Sequence, residues 1–404
     1  MLMVTALAAD AQCQRGYITD TRPNVFVFLG MDSPLHPDEV YLSANTTLRI
    51  HYDAGWENRL FVRGDGPSLD WEKGIEATWR NGNVWMVKFP NPEGITEFKV
   101  LINDTVWNIG SNYRVESGET HDFYPHFYRR EGRLEVMYHF DTPIVIYLPP
   151  SYEENPFKHY PVIYMHDGQN LFDPATAFGG QAWAVDKTIN RLVTKGEMEE
   201  VIAVGIYNRG AARIHDFTPS HDPNFMGVGA GGGADNYLNL ITDEIKPHID
   251  THYRSRTGRE HTGLLGSSLG GLISFYMARE RPDIFSKIAA LSTSFWWNSR
   301  NLIRRVIRRR LHIPMKIYLD AGSRDNEVET LEMYRVLLEI GYRPGHDIFC
   351  HVAPKAAHSE RFWGQRVHIP LRFLFPANGQ TFPEQWQEES IVLQSEVGTS
   401  TLFD

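Results

Sequence analysis

The sequence has 404 residues, 42% of them hydrophobic, which is enough to bury one large core or two separate ones. A formal net charge of -10 excludes a general attraction to nucleic acid or to an anionic membrane, since either calls for a basic face. The two cysteines, Cys13 and Cys350, form neither a disulfide framework nor a metal-ligand spacing, and no apolar stretch reaches the length of a transmembrane helix.

Residues 1–22 read as an N-terminal extension. The opening MLMVTALAADA is apolar and ends in a small-x-small tripeptide, yet it lacks a basic n-region and is short for a secretory signal. A cytoplasmic location is the main expectation; secretion or export to a periplasm is the alternative. From 23 to 126 the chain consists of short β-type runs, Val25 to Leu29, Thr47 to His51, Val84 to Phe89 and Glu97 to Ile102. Turn signals such as Gly64-Asp65-Gly66-Pro67, Asn81-Gly82-Asn83 and Asn91-Pro92-Glu93-Gly94 separate them. Short strands at this spacing predict an all-β, antiparallel sandwich of immunoglobulin-like type, with Trp79 and Trp85 in its core or at its edge.

Over 127–376 the rhythm changes. Apolar runs at Ile144 to Leu148, Val162 to Met165, Val201 to Ile206, Leu264 to Leu265 and Ile317 to Leu319 alternate with helix-period segments. Those segments carry Tyr237, Leu240, Ile241 and Ile245, then Val328, Leu331 and Leu338. Such alternation predicts an α/β domain with a mostly parallel sheet and helices on both faces. The helix from about Glu327 is expected to stop at Gly341. Arg304, Arg305, Arg308, Arg309 and Arg310 form a basic run whose helical spacing reads as a solvated face rather than an anion or partner site. Residues 377–404 are polar and acidic without periodicity and read as a disordered tail.

The segment Gly266-Ser267-Ser268-Leu269-Gly270-Gly271 carries the pattern Gly-x-Ser-x-Gly centred on Ser268. A tight strand-to-helix turn needs small residues on both sides of the serine, so that its oxygen stands exposed at the C-terminal edge of the sheet. Here the pattern follows Leu264-Leu265 and precedes Leu269, Leu272, Ile273 and Tyr276, spaced as one helix face, with Pro282 beyond. Ser267 competes as nucleophile, but only Ser268 has glycine at both flanking positions.

A serine hydroxyl needs a histidine to take its proton and a carboxylate to orient that histidine. In this fold class the chain order is serine, acid, histidine. Strand Lys316 to Leu319 runs into a loop, Asp320 to Asn326, where Asp325 is the better acid and Asp320, nearer the strand, is the alternative. Beyond strand Phe349 to Val352, His358 sits in a loop leading to a helix, a context that His312 and His351 lack. Acyl transfer also needs two donors for the oxyanion. The backbone N–H of Leu269 follows the nucleophile, and the loop Tyr164 to Asn170 offers the N–H of Gln169. His166 and Asp167 have no third ligand spaced near them and read as loop-shaping residues, so no metal site is expected.

These pieces resemble the esterase D and enterochelin-esterase-like family. The matching segments are Val145 to Tyr152, His166 to Asn170, Trp183 with Asp186, Gly266 to Gly271, Gly322 to Asp325 and His358-Ser359-Glu360. The resemblance implies an α/β-hydrolase fold, a triad of Ser268, Asp325 and His358, an oxyanion hole at Gln169 and Leu269, and neither metal nor organic cofactor. Residues 23–126 resemble the starch-binding family 20 of carbohydrate-binding modules through Leu69-Asp70-Trp71, Glu97-Phe98-Lys99, Val106-Trp107 and Asn112 to Val115. That second resemblance implies polysaccharide binding by Trp71, Lys99 and Trp107, on whose indole faces sugar rings would stack, although either tryptophan could equally be a core residue.

The expected function is that of a serine carboxylesterase acting on a small-molecule or glycan-linked ester with a short-chain or carbohydrate-linked acyl group. One alternative is a siderophore or peptide-like ester hydrolase with the N-terminal domain as a lid. The other is a noncatalytic glycan-binding or scaffold protein that keeps a hydrolase shell.

Overall fold

A computed structural model describes residues 45–377 apart from 67, 92, 93 and 139, together with two short strand segments at 18–19 and 26–27. The predicted acidic tail beyond Ala377, Cys13 and most of the N-terminal extension therefore lie outside the described residues. The described chain divides into two compact units. One holds the residues up to Thr105 with Arg114–Phe123, and the other holds Val106–Tyr113 with everything from Tyr124 onward. The dividing line is thus more interleaved than a cut near residue 126, because the segment carrying Trp107 groups with the second unit.

In the first unit, one sheet runs in the order Thr120–Phe123, Asn45–His51, Val84–Pro90, Thr78–Arg80, and another is built on Ile95–Ile102, Leu60–Gly64 and Ile75–Glu76. Alternation along each strand puts Leu48, Ile50, Trp85, Val87 and Phe89 of one sheet and Leu60, Val62, Phe98 and Val100 of the other into the interior. The rings of Phe98 and Phe123 meet edge to face at 4.8 Å and join the two layers. Trp85 is buried and its indole N–H donates to the Tyr52 carbonyl, whereas Trp79 lies on the edge strand and is exposed. One pairing departs from the antiparallel expectation: Thr120–Phe123 runs parallel to Asn45–His51.

The second unit is organised by eight strands, β1 (Arg133–Met137), β2 (Ile144–Leu148), β3 (Val162–His166), β4 (Ile202–Ile206), β5 (Thr262–Ser267), β6 (Lys287–Leu291), β7 (Lys316–Arg324) and β8 (Ile348–Ala357). They pair in the order β1-β2-β4-β3-β5-β6-β7-β8; β2 is antiparallel to both neighbours and the remaining pairings are parallel. This mixed, mostly parallel sheet is the α/β-hydrolase arrangement. Its central strands are apolar on both faces because both are covered. Ile144, Val162, Leu264, Ile288 and Ile317 pack toward α2 (Leu269–Glu280), α3 (Trp297–Arg309) and α4 (Glu327–Ile340). Ile163, Met165, Leu265, Ala289 and Phe349 pack toward α1 (Val185–Thr194), α5 (Glu360–Arg366) and α6 (His368–Leu374).

Helix α4 ends at Gly341 in the left-handed region (φ 111°), as its sequence predicts; Leu331 and Leu338 pack partly buried against the core, but other residues form its most buried stripe. Thr330, Met333, Tyr334 and Leu337 point inward, while Val328 stands in solvent. The inward stripe has the same helical spacing, and two of its members carry hydroxyls that hide them from an apolar pattern. The basic run lies mostly on the solvated face of α3 and just beyond it: Arg305 and Arg309 pair with Glu280, and Arg310 with Glu339. Among the described residues no helix is long and apolar enough to cross a membrane.

Candidate active site

The turn from β5 into α2 places Ser268 at φ 59° and ψ -122°, a backbone strained for a non-glycine residue and tolerated only where the surroundings enforce it. Steric demands explain the neighbouring glycines unequally. A Cβ on Gly266 would lie 2.5 Å from the carbonyl carbon and oxygen of Gly270, and one on Gly271 would lie 2.5 Å from Thr293 Oγ1. A Cβ on Gly270 would come only to 3.3 Å from Asp167 Oδ2. So the second glycine of the pattern is the less constrained, and Gly271, outside it, is the more so.

Strand β8 continues to Ala357, further than the loop expected after Val352, because it keeps pairing with β7 past an irregularity between Gly322 and Arg324. The extension delivers His358 from the strand end and α5 follows at once. His358 Nε2 lies 3.0 Å from Ser268 Oγ, and its Nδ1 lies 2.7 Å from Asp325 Oδ1. Burial pushes the Asp325 carboxyl up, but the hydrogen bond and charge of His358 outweigh it and hold the group below the usual carboxylate range. Ser294 Oγ is 3.2 Å from Ser268 Oγ on its other side. The Trp363 ring stands edge-on to the His358 imidazole at 4.8 Å, and its indole N–H donates to Ser292 Oγ at 2.9 Å.

The competing acid lies elsewhere. Strand β7 runs through Asp320 to Arg324, so the loop expected from Asp320 onward begins later and Asp320 is wholly buried inside the sheet. Arg366 donates to both its oxygens, from Nε at 2.8 Å and Nη2 at 2.9 Å, while Tyr318 Oη and the Ser292 N–H add further bonds. That carboxylate is consumed by a structural pair.

Gln169 sits in a short 3-10 turn, Gly168–Asn170, and Leu269 opens α2. N–H groups in the first turn of a helix have no intrahelical acceptor, and the α2 N-terminus adds partial positive charge. Gln169 is held by its carbonyl, which accepts from Thr176 Oγ1 at 2.7 Å, and by its Oε1, which accepts from the Asn208 N–H at 3.2 Å. Asp167, itself at φ 56°, receives Arg213 through two 2.7 Å bonds and Asn208 Nδ2 at 2.7 Å. His166 is buried with Nδ1 3.0 Å from Tyr237 Oη, and burial pulls its imidazole down to about 4. Among the described residues no group of three or more histidines, cysteines or carboxylates is placed to hold a metal ion.

A cavity of about 470 Å³ lies elsewhere in this unit; the one at Ser268 is larger, about 670 Å³, lined by Gln169, Asn208, Phe178, Phe362 and Trp363 as well as the serine and His358. Glu360, also on its wall, figures in the sequence resemblance without a role. Its Oε1 accepts from Asn170 Nδ2 at 3.0 Å and its Oε2 from the Trp183 indole N–H. Burial pushes this carboxyl up to about 7, against the lowering effect of the Trp183 hydrogen bond. Its position two residues after His358 was the signal in the sequence; Arg213 and Asn208 carried none.

The three sugar-binding candidates are spread over both units. Trp71 is half-buried and its carbonyl accepts from Arg63 at 3.2 Å. Lys99 pairs across the ladder with Arg63, and burial pulls its ammonium down to about 8. Trp107 belongs to the second unit and is 41% exposed.

A family model described as "Putative esterase" matches residues 135–366. The chain is similar to YbbA, an uncharacterized protein of Bacillus subtilis, at 24% identity over 257 residues, covering 58% of this chain and 93% of that protein. It is also similar to the ferri-bacillibactin esterase BesA of Bacillus subtilis, at 30% identity over 210 residues, covering 46% of this chain and 70% of BesA. With the siderophore enterobactin esterase of Emericella nidulans the identity is 29% over 161 residues, covering 36% of this chain and only 50% of that enzyme's length.

Proposed function

We infer, from the premise that this chain belongs to the Esterase family and is a carboxylic ester hydrolase, that it works through an acyl-serine intermediate on Ser268. The observation that carries this reading is the unbroken hydrogen-bonded line from Ser268 Oγ through His358 to Asp325, with steps of 3.0 and 2.7 Å. Asp325 accepts the Nδ1–H of His358, which leaves Nε2 free to accept the serine proton as Oγ attacks the ester carbonyl. The N–H groups of Gln169 and Leu269 receive the charge that develops on the carbonyl oxygen. Collapse of the tetrahedral species breaks the ester C–O bond, and the alcohol leaves with the proton held by His358. Water then adds to the acyl-serine, giving a proton to His358; collapse breaks the acyl–Oγ bond, returns that proton to Ser268 Oγ and releases the carboxylic acid. These steps call on no metal and no organic cofactor.

The ester itself is read as one of two kinds. A short-chain or carbohydrate-linked acyl ester fits the cavity's mixture of amide and aromatic walls. A siderophore-type ester is favoured by the similarity to BesA, whose name gives ferri-bacillibactin as its ester. The first unit is read as an immunoglobulin-like module, and polysaccharide binding is read onto Trp71, Lys99 and Trp107, the last of which is exposed although it groups with the second unit. The scaffold alternative is set aside by family membership.

Ser268→Ala is expected to abolish hydrolysis of short p-nitrophenyl esters with the fold intact, and a fluorophosphonate probe to label the native chain but not the variant. Unchanged turnover in the variant refutes the serine mechanism. Parallel assays on a catecholate siderophore ester, a feruloylated sugar and p-nitrophenyl acetate separate the substrate readings. Absence of retardation during electrophoresis through amylose counts against the sugar module.

A further inference from the structure

The smaller cavity, at the opposite edge of the sheet, holds charges that ester chemistry does not use. Strands β6 and β7 begin with Lys287 and Lys316, which are direct partners across the parallel ladder. Adjacent strands lie about 4.8 Å apart, so two cationic side chains leave neighbouring positions on one face of the sheet. Like charges placed so are unfavourable unless something between them is negative. Both lysines are half-buried. Their ammonium groups donate to backbone carbonyls, Lys287 to Glu260 and Lys316 to Phe373 at 3.3 Å, and lie over the rings of Phe375 and Phe373 at 5.7 and 5.3 Å. Arg259 is the third cation, with its guanidinium donating to the carbonyls of Pro282 and, at 2.8 Å, Pro314.

Among the described ion pairs none includes Arg259, Lys287 or Lys316; the carboxylates that act on Lys287 through space are Glu199 and Glu260, and on Lys316 Asp347. Asp347 is already taken by Arg343 at 2.9 Å and His346 at 2.6 Å. Burial first, and the neighbouring Lys316 second, pull Lys287 down to about 8. All of this occurs in a chain whose net charge is -10.

We propose that this cavity is an anion site, in which Lys287, Lys316 and Arg259 together hold a polyvalent oxyanion, phosphate or carboxylate, with His312, Arg343 and His346 at the rim. An oxyanion between the two ammonium groups turns a repulsion into two charge-assisted hydrogen bonds. The ligand has two sources with the same chemistry. One is a free anion. The other is the chain itself: residues 378–404 contain Glu384, Glu388, Glu389, Glu396 and Asp404 but no lysine or arginine, and they follow closely on Phe373 and Phe375, whose rings lie beneath the lysines. The site sits where the strands begin, whereas Ser268 lies beyond the end of β5, so occupancy leaves the ester chemistry untouched.

The test is calorimetric titration of the full chain with inorganic phosphate at low ionic strength, with p-nitrophenyl acetate turnover as the control for folding. One phosphate is expected to bind per chain, at least about tenfold more weakly in Lys287→Gln/Lys316→Gln and in Arg259→Gln, with esterase turnover unchanged in both. If the acidic segment is the occupant, phosphate binds the native chain weakly and binds Glu384→Gln/Glu388→Gln/Glu389→Gln more tightly, an outcome that supports the site and identifies its source. No binding to the native chain or to the glutamine variant overturns the proposal, as does binding that survives loss of both lysines.

Discussion

At the C-terminal edge of the eight-stranded sheet three buried carboxylates meet basic partners: Asp325 faces His358, Asp167 faces Arg213 and Asp320 faces Arg366. At the N-terminal edge Lys287 and Lys316 stand side by side, bonded to carbonyls and set over ring faces, with Glu199, Glu260 and Asp347 acting on them only through space. The same strands carry both arrangements. The contrast teaches that pairing in this unit is not a uniform stabilising feature. Within the paired edge there is a further division, since Asp325 bonds to the imidazole that reaches Ser268 while Asp320, five residues earlier, is locked into the scaffold.

Substitutions at those two aspartates should separate the roles. Asp325→Asn is expected to lower kcat on p-nitrophenyl acetate by roughly 10⁴-fold, by analogy with loss of the orienting acid in other triads, and to leave urea unfolding nearly unchanged. Asp320→Asn should do the reverse. It leaves the buried Arg366 guanidinium without its partner and should cost about 3–5 kcal/mol in urea unfolding, with a much smaller loss of kcat per folded molecule. Equal effects on both quantities in both variants would erase the distinction. Next in size is Gly266→Ala, whose methyl meets backbone atoms 2.5 Å away and should cost about 1–3 kcal/mol; Gly270→Ala, at 3.3 Å from a carboxylate oxygen, should cost less.

Glu360 offers a finer cut. Both of its partners, Asn170 and Trp183, are donors, so a protonated Glu360 must give up one acceptor. Asn170 adjoins Gln169, and the bond therefore ties the Gly168–Asn170 turn to the helix that follows His358. With its carboxyl raised to about 7, Glu360 loses its proton near neutral pH. The acid limb of kcat/KM should accordingly include the Glu360 ionisation near pH 7 among its ionisations. Glu360→Gln removes one of them and lowers kcat by roughly 3–10-fold, since one donor is left unmatched. A limb of unchanged steepness would detach Glu360 from the chemistry.

What the sequence made legible was local. The apolar runs marked β2 to β5 to within two residues but missed β6 and the last five residues of β7 and β8, and Gly266, Ser268 and the stripe from Leu269 to Tyr276 marked the turn between β5 and α2 because all of its determinants are adjacent. His358 was legible from its strand-to-helix context. The environment of Glu360 was not: its partners lie 190 and 177 residues away, and no spacing announces them. Asp320 and Asp325 stayed in competition for the same reason, as only the approach of Arg366 from a distant helix removes the first. The inward face of α4 was legible only in part: Leu331 and Leu338 do pack against the core, but Thr330 and Tyr334 use their apolar parts for packing, which a division into polar and apolar residues cannot express.

The smallest expected effect bears on the unpaired edge. In buffer free of multivalent anions, Lys287→Gln relieves the repulsion across the ladder and should stabilise the chain by roughly 0.2–1 kcal/mol. The sign of its pH dependence follows from a lysine lowered from 10.5 to about 8. Between those values the unfolded chain binds more protons than the folded one, so native stability rises with pH. The advantage of the variant is therefore fully present below about pH 8 and shrinks as pH climbs toward 10.5. Added phosphate should work in the opposite sense, raising the melting temperature of the native chain and not that of the variant, because only the intact pair gains a shared counter-charge. Melting curves that move together in phosphate would mean that the two lysines tolerate each other unaided and that the electrostatic contrast between the two edges has no energetic content.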